Sequence, residues 1–180
     1  VIDREGSRPD FDGDVASAII NLADLEAKGK EFLFTERKLS AQVVEKMKIK
    51  SVEDSTKMKE ILMNTFDEER LIKCKVLKRD NNKIQLTINI PSLLIPYFDR
   101  TGKLVALQSR YLGTNENIPR FKMLCNSRKQ LYNMVLLAKL QEGNKLYIME
   151  GITDCLAMLS AGYPAVAIQS ATTIPETELD

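Results

Sequence analysis

The strongest chemical signal in this chain is the run LYIMEGITD, in which Glu150, Gly151 and Asp154 follow the apolar residues 146–149. The apolar run reads as a strand. Glu150 then stands at the strand's carboxyl end, where functional side chains collect in open α/β sheets. Gly151 lets the chain turn sharply without a Cβ penalty. Asp154 falls in the first turn of the next helix, where the dipole favours its charge by ~0.3–1 kcal/mol. From the residues alone a second reading stays open: Glu150 and Asp154 also suit a helix-capping pair of a common β-α-β unit.

The basic residues are as uneven as the acidic ones. Residues 100–145 carry nine Lys or Arg, among them Arg110, Arg120 and Lys122, against only Glu116 and Glu142. Residues 146–180 carry Glu150, Asp154, Glu176, Glu178 and Asp180 and no base, although the whole chain sums to +1. A basic segment leading into an acidic one is what a polyanion-binding surface beside a cation-binding pocket needs. An uneven but merely solvated surface gives the same pattern.

Composition removes several other chemistries. No histidine occurs, which excludes Ser-His-Asp and Cys-His catalysis and any His-containing metal site. Acid–base or metal chemistry must therefore rest on Asp, Glu, Lys or Arg. Cys74, Cys125 and Cys155 are odd in number and far apart, so no zinc site is expected, and they read as buried thiols of a cytoplasmic protein. No apolar run approaches the ~20 residues of a membrane span, so no membrane partner is expected. Residues 1–14 are acidic rather than basic then apolar, unlike a signal peptide. Because the chain starts at Val1, the expectation is that the natural N-terminus is missing.

These residues must be positioned by elements that the patterning predicts. Asp12 and Asp14 precede VASAIINLADLEAKG, read as one helix stopped by Gly29, and KEFLFTER reads as a second. Ser40 is the expected cap of AQVVEKMKI and Ser55 of TKMKEILMNTF, with DEERLIKCKV following, so residues 15–75 read as four or five short helices. Asn81-Asn82 marks a turn and IQLTINI alternates as a strand. LLIPYF and KLVALQSRYL flank the turn Asp99-Arg100-Thr101-Gly102 and predict a β-hairpin. Pro91 and Pro96 suggest edge positions or strand starts. Ser127 is the expected cap of a helix over RKQLYNMVLLAKL. Strand KLYIM, helix TDCLAMLSA, the stop Gly162 and strand PAVAI complete a β-α-β unit.

Glu150, Gly151, Asp154, Gly162 and the PAVAI strand resemble the first motif of a Toprim domain. LLIPYFDRTGKLVALQSRYLG resembles the hairpin of DnaG-type primases, with Arg110 at its arginine and Gln108 and Ser109 in place of two glycines. PRFKMLCNSRKQLYN resembles the following primase pattern, with Lys122 or Arg120 at its lysine. EFLFTERKLSAQVVEKMKI resembles an upstream helix-Arg-Gly-Leu-Ser-helix element, with Arg37 at the arginine and Lys38 in place of the glycine. The resemblance runs in the right order over residues 26–180.

The resemblance implies an α+β fold. A helical and β-hairpin primase-core subdomain (residues 15–140) follows a flexible tail (1–14) and leads into a truncated α/β Toprim unit (141–180). It implies primer synthesis on a single-stranded DNA template from nucleoside triphosphates, with a replicative helicase as a further partner. Glu150 would be the catalytic residue, and Glu150 with Asp154 would face Mg²⁺ or Mn²⁺. Arg37, Arg110, Arg120 and Lys122 would bind nucleic acid or nucleotide, and Phe98, Tyr111 and Phe121 would offer stacking. The family's downstream Asp-x-Asp pair is absent, so residues 1–180 are expected to be inactive alone. Another Toprim enzyme (a topoisomerase or nuclease) or a non-catalytic single-strand-binding adaptor is the alternative.

Overall fold

The structure, a computed structural model, describes residues 9–81 and 83–168. Its first part is helical: α1 (Gly13–Leu22), α2 (Ala27–Lys30) running into a π-helical stretch Glu31–Glu36, α3 (Ala41–Lys46), a short strand β1 (Lys50–Val52), α4 (Ser55–Thr65) and α5 (Glu68–Lys73). Strands β2 (Leu77–Asp80), β3 (Lys83–Leu86), β4 (Ser92–Phe98), β5 (Leu104–Tyr111) and β6 (Phe121–Leu124) follow. A 3₁₀ segment, Met134–Lys139, leads to β7 (Tyr147–Met149), α6 (Ile152–Ser160) and β8 (Ala165–Ala167). This is the α+β arrangement expected from the sequence.

The central element is the β4–β5 hairpin in an antiparallel sheet of order β1-β4-β5-β6. Its turn is closed by Asp99, whose carboxylate accepts from the Thr101 and Lys103 amides and the Thr101 hydroxyl. Residues 92–97 of β4 are all buried. Pro96 nevertheless fits, because β1 reaches only as far as Leu94 and the missing N–H falls where β4 has no second neighbour.

The period-2 alternation divides the hairpin between two cores. Leu94, Leu107 and Leu124 face α1, α4 and α5, packing with Ile19, Leu62 and Leu71. Leu93, Ile95, Tyr97 and Ala106 face the other way, against Phe32, Leu33, Tyr132, Cys155 and Leu156. Each fully buried aliphatic side chain stabilises by roughly 1.5–3 kcal/mol. The β-α-β unit thus shares a core with the upstream part: Tyr132 meets Tyr97 edge-to-face at 5.2 Å, and its backbone bridges to Ala167.

Local chemistry departs from the sequence expectation at several points. The first predicted helix is interrupted after Leu22, and Gly29 is not its stop but a buried residue inside α2. A Cβ on Gly29 would lie 2.7 Å from Ser51 Oγ and 2.8 Å from Ser51 Cβ, so glycine permits α2 to touch β1. Strand β1 carries no alternation of its own, being held by pairing with β4. Asp54, not Ser55, caps α4 by accepting from the Thr56 and Lys57 amides. Ser40 stands at the start of α3 without a capping bond, and its own amide donates to Ser160 Oγ. Ser127 caps no α-helix: its hydroxyl donates to the Leu124 carbonyl and accepts from the Leu107 amide. Residues 128–133 run without helix because Tyr132 is drawn into the bridge with Ala167. Asn133 then adopts a left-handed φ of 67°.

Other expectations hold: Asp12 caps α1, the chain turns at Asn81, and β7 and β8 are parallel around α6, with Gly162 just past its end, whereas of the expected strand IQLTINI only residues 84–86 lie in β3, paired with β2. Residues 1–8 of the expected tail lie outside the described residues, as do 169–180, where the sheet is expected to be unfinished. Within 9–14, Phe11 packs on the core and Asp12 accepts two bonds from Arg70.

Gly29→Ala is therefore expected to destabilise by about 1–3 kcal/mol, the usual cost of overpacking, measured by urea denaturation. Asp12 has a second signature. Hydrogen bonding to Arg70 holds its carboxyl below the usual range, so its contribution is present above the unfolded pKa near 3.8 and is lost as pH falls through the lower folded value. Asp12→Ala should cost about 1–2 kcal/mol at pH 7 and much less near pH 2, read from melts at both pH values.

Candidate nucleic-acid interface

Arg110 occupies the penultimate position of β5, in register with Leu93 on β4 and Phe121 on β6. It therefore points to the face of Tyr97 and Phe32, yet carries a cation there. Only 6% of it is exposed. Its guanidinium lies 4.0 Å from the centre of the Phe32 ring and 5.8 Å from that of Phe121. Its Nε has no hydrogen-bond partner. Burial, with Arg120 and Arg37 nearby, lowers its pKa to about 10, against a small opposing effect of Glu36. The side chain is thus charged at neutral pH, and among the described residues it makes no ion pair.

Arg37 also lies over Phe32, its guanidinium 5.2 Å from the centre of the same ring. The π-helical geometry places it there: the Arg37 amide donates to the carbonyl of Phe32, five residues back. Single π-turns are frequent at functional sites. Arg120 stands just before β6. Arg37, Arg110 and Arg120 line one cavity of about 460 Å³, with Lys28, Glu31, Glu36 and Tyr111 on its walls. Gly113 completes the wall, since a Cβ there would lie 2.1 Å from the Tyr111 hydroxyl. Three cations facing one space with stacked aromatic floors suit phosphate oxygens, which arginine binds bidentately.

Lys122, also expected at a binding surface, pairs with Ser109 and faces the opposite side of the sheet. Its Nζ donates to the Thr87 carbonyl at 2.7 Å, and burial, then Lys78, lowers its pKa. Of the two residues offered for the family's lysine position, Arg120 stands with Arg37 and Arg110. Phe121 is 45% exposed on the arginine face, and Phe98 has Lys48 above its ring at 5.3 Å.

Beyond Phe121 lies a second cavity, of about 270 Å³, lined by Gln108, Phe121, Met123, Lys129, Glu150 and Gly151. Glu150 stands exposed at the carboxyl end of β7, and Asp154 lies in the first turn of α6, as the sequence predicts. A Cβ at Gly151 would sit 3.0 Å from Asp154 Oδ2, so glycine leaves room for that carboxylate. Mg²⁺ typically takes one or two protein carboxylates together with phosphate oxygens and water. Glu150 and Asp154 fit that donor chemistry, while no group of three candidate ligands occurs among the described residues. Phe32 carried no sequence signal, Lys129 only its share of the basic segment, and Gln108 only its place where the resembling hairpin has a glycine. Only the five-residue spacing of Phe32 and Arg37 hints at a role for Phe32, and it means nothing without the π-turn.

A four-stranded antiparallel sheet, helices on one face and a β-α-β unit on the other define an α+β architecture. More narrowly, the fold is that of DnaG-type primase catalytic cores. The Aquifex aeolicus primase, solved as zinc-binding and RNA polymerase domains, superimposes with a TM-score of 0.73 at 17% identity, over 88% of this chain and 42% of that one. The E. coli primase catalytic core gives 0.72 at 20%, over 89% and 55%. The RNA polymerase domain of Mycobacterium tuberculosis DnaG, in complex with a double-stranded DNA oligomer with a 6-nucleotide overhang, gives 0.72 at 19%, over 93% and 55%. The chain spans about half the length of these structures. No protein-family model and no curated protein sequence matches it. Among the described residues no helix is long and apolar enough to cross a membrane.

If Arg110 is kept charged and unpaired for a ligand, Arg110→Met should leave the melting temperature of the free protein unchanged within about 2 °C or raise it, because an uncompensated buried charge is removed. The wild type should be stabilised by millimolar tripolyphosphate, and Arg110→Met should lose that shift. Differential scanning fluorimetry with and without the anion reads both.

Proposed function

We propose that this chain is the template- and nucleotide-binding part of a primase-type nucleotidyltransferase that makes RNA primers on single-stranded DNA. The observation that carries the reading is the buried Arg110 guanidinium, held on Phe32 without an ion pair among the described residues and facing a cavity shared with Arg37 and Arg120. A cation in that state is ready for phosphate oxygens and has no structural role that a neutral side chain would not serve better. Solved structures of the same fold include a DnaG primase catalytic domain bound to single-stranded DNA, which supports the same partner here.

In this reading the arginines hold and neutralise phosphate groups of the template or of an incoming nucleoside triphosphate. Phe121 offers a base-tolerant stacking surface, worth ~1–3 kcal/mol per stacked base. Residues 141–168 are the start of a Toprim-type unit, and Glu150 is its acid–base or metal-organising residue. Glu150 and Asp154 would hold Mg²⁺ or Mn²⁺, which when bound stabilises charge on the transferring phosphoryl group.

Anisotropy of a labelled single-stranded oligonucleotide at several salt concentrations tests the binding half. Arg37→Ala and Arg120→Ala should each weaken binding and reduce the slope of log K against log salt by about 0.7. Lys122→Ala, on the opposite face, should change it less. Unchanged slopes in both arginine variants would return these residues to the solvated surface. For the chemistry, Glu150→Gln should abolish primer synthesis while oligonucleotide affinity stays within about twofold. Near-normal synthesis would make Glu150 a helix-end residue and leave a binding module without catalysis.

A further inference from the structure

Gln108 precedes Arg110 by two residues on β5, so both side chains leave the same face of the sheet, about 7 Å apart along the strand. It is polar and only 7% exposed. Its carbonyl is held, since Oε1 accepts from the Tyr97 hydroxyl at 3.1 Å. Its amide nitrogen has Met123 Sδ at 3.4 Å, and a thioether is a weak acceptor. Gln108 also lines the cavity bounded by Phe121, Lys129 and Glu150. The result is a buried amide, fixed in orientation from behind, with donor capacity for a stronger acceptor than it has.

The spacing on this face matches the parts of a nucleotide. In that reading Arg110 meets phosphate at one end, and Phe121, its cross-strand partner on β6, lies 5.8 Å from the guanidinium and lines the second cavity. Gln108 comes next toward Glu150. We infer that Gln108 is a specificity-determining residue, whose Nε2 donates a hydrogen bond to a neutral oxygen of the nucleoside part of a bound nucleotide. Two sources offer that oxygen, a sugar hydroxyl and a base carbonyl. This rests on the nucleotide-binding reading above but adds a separate claim: the arginines supply anion affinity, and Gln108 distinguishes a nucleotide from a bare polyphosphate.

Calorimetric titration of the chain with ATP, dATP, GTP and inorganic tripolyphosphate tests it. Wild type should bind at least one ribonucleotide more tightly than tripolyphosphate, and Gln108→Met should cut that ratio about three- to tenfold while tripolyphosphate affinity holds, the range expected for one neutral hydrogen bond. If the acceptor is a sugar hydroxyl, dATP binds wild type as weakly as ATP binds the variant. If it is a base carbonyl, GTP exceeds ATP in wild type and equals it in the variant. Tyr97→Phe, which releases the amide but keeps the ring, should lower the ratio in the same direction by a smaller factor, and it carries the test should Gln108→Met fail to fold. A nucleotide-to-tripolyphosphate ratio unchanged in the folded variants overturns the role of Gln108 alone. Tripolyphosphate binding that is absent from wild type, or untouched in Arg110→Met, overturns the arginine site and this inference with it.

Discussion

Strand β4 is buried on both of its faces, and that burial dictates what the rest of the molecule must provide. A strand covered on one side only needs one layer of apolar partners, whereas β4 and its hairpin mate β5 need two. The first layer comes from α1, α4 and α5, and the second from the α2 segment together with α6 and Tyr132. Segments more than a hundred residues apart in sequence therefore meet across one sheet, as the bond from the Ser40 amide to Ser160 Oγ records. The β-α-β unit cannot be lifted away from the upstream part without exposing Ile95 and Tyr97.

The same constraint explains why the candidate site lies at the end of this hairpin. Polar groups on a doubly covered strand must be matched or must reach an opening. Gln108 is matched at its carbonyl by Tyr97, while Arg110 reaches the rim between Phe32 and Phe121. Aromatic faces attract a guanidinium and tolerate its loss of water better than aliphatic walls do. They do not neutralise it, so Arg110 stays charged. Arg37 and Arg120 add positive charge beside it, and Glu36 opposes them. Glu150 lines a second cavity with the exposed Phe121 and with Lys129, separate from the cavity of the three arginines.

Much of this was legible in the residues. The hairpin around Asp99–Gly102, the β-α-β unit, the position of Glu150 at a strand end and the resemblance to primase cores all rest on local patterns, and the solved structures of like fold agree with the resemblance. Turn chemistry, period-2 alternation and helix stops act over a few residues, so a linear string records them. Helix caps were read one residue off at Ser55, and at Ser127 a capping residue was read where the hydroxyl instead ties β5 to the end of β6. A hydroxyl's partners there are set by strands that sequence distance hides.

What the chain alone determined was therefore the set of local elements and the residue types able to do chemistry: two carboxylates after a strand, arginines before and within a hairpin, and no histidine. Tertiary structure decided which of them share a space. Arg37, Arg110 and Arg120 converge because a π-turn rotates Arg37 toward Phe32 and because β5–β6 register puts Arg110 beside Phe121. Lys122 is sent to the other face by the same register, since adjacent residues on a strand point in opposite directions. Gly29 reads as a helix stop until Ser51 is seen against it, and Gln108 as an ordinary polar residue until Tyr97 fixes its amide. Register and close approach depend on residues far apart in the chain, so only the folded molecule settles them.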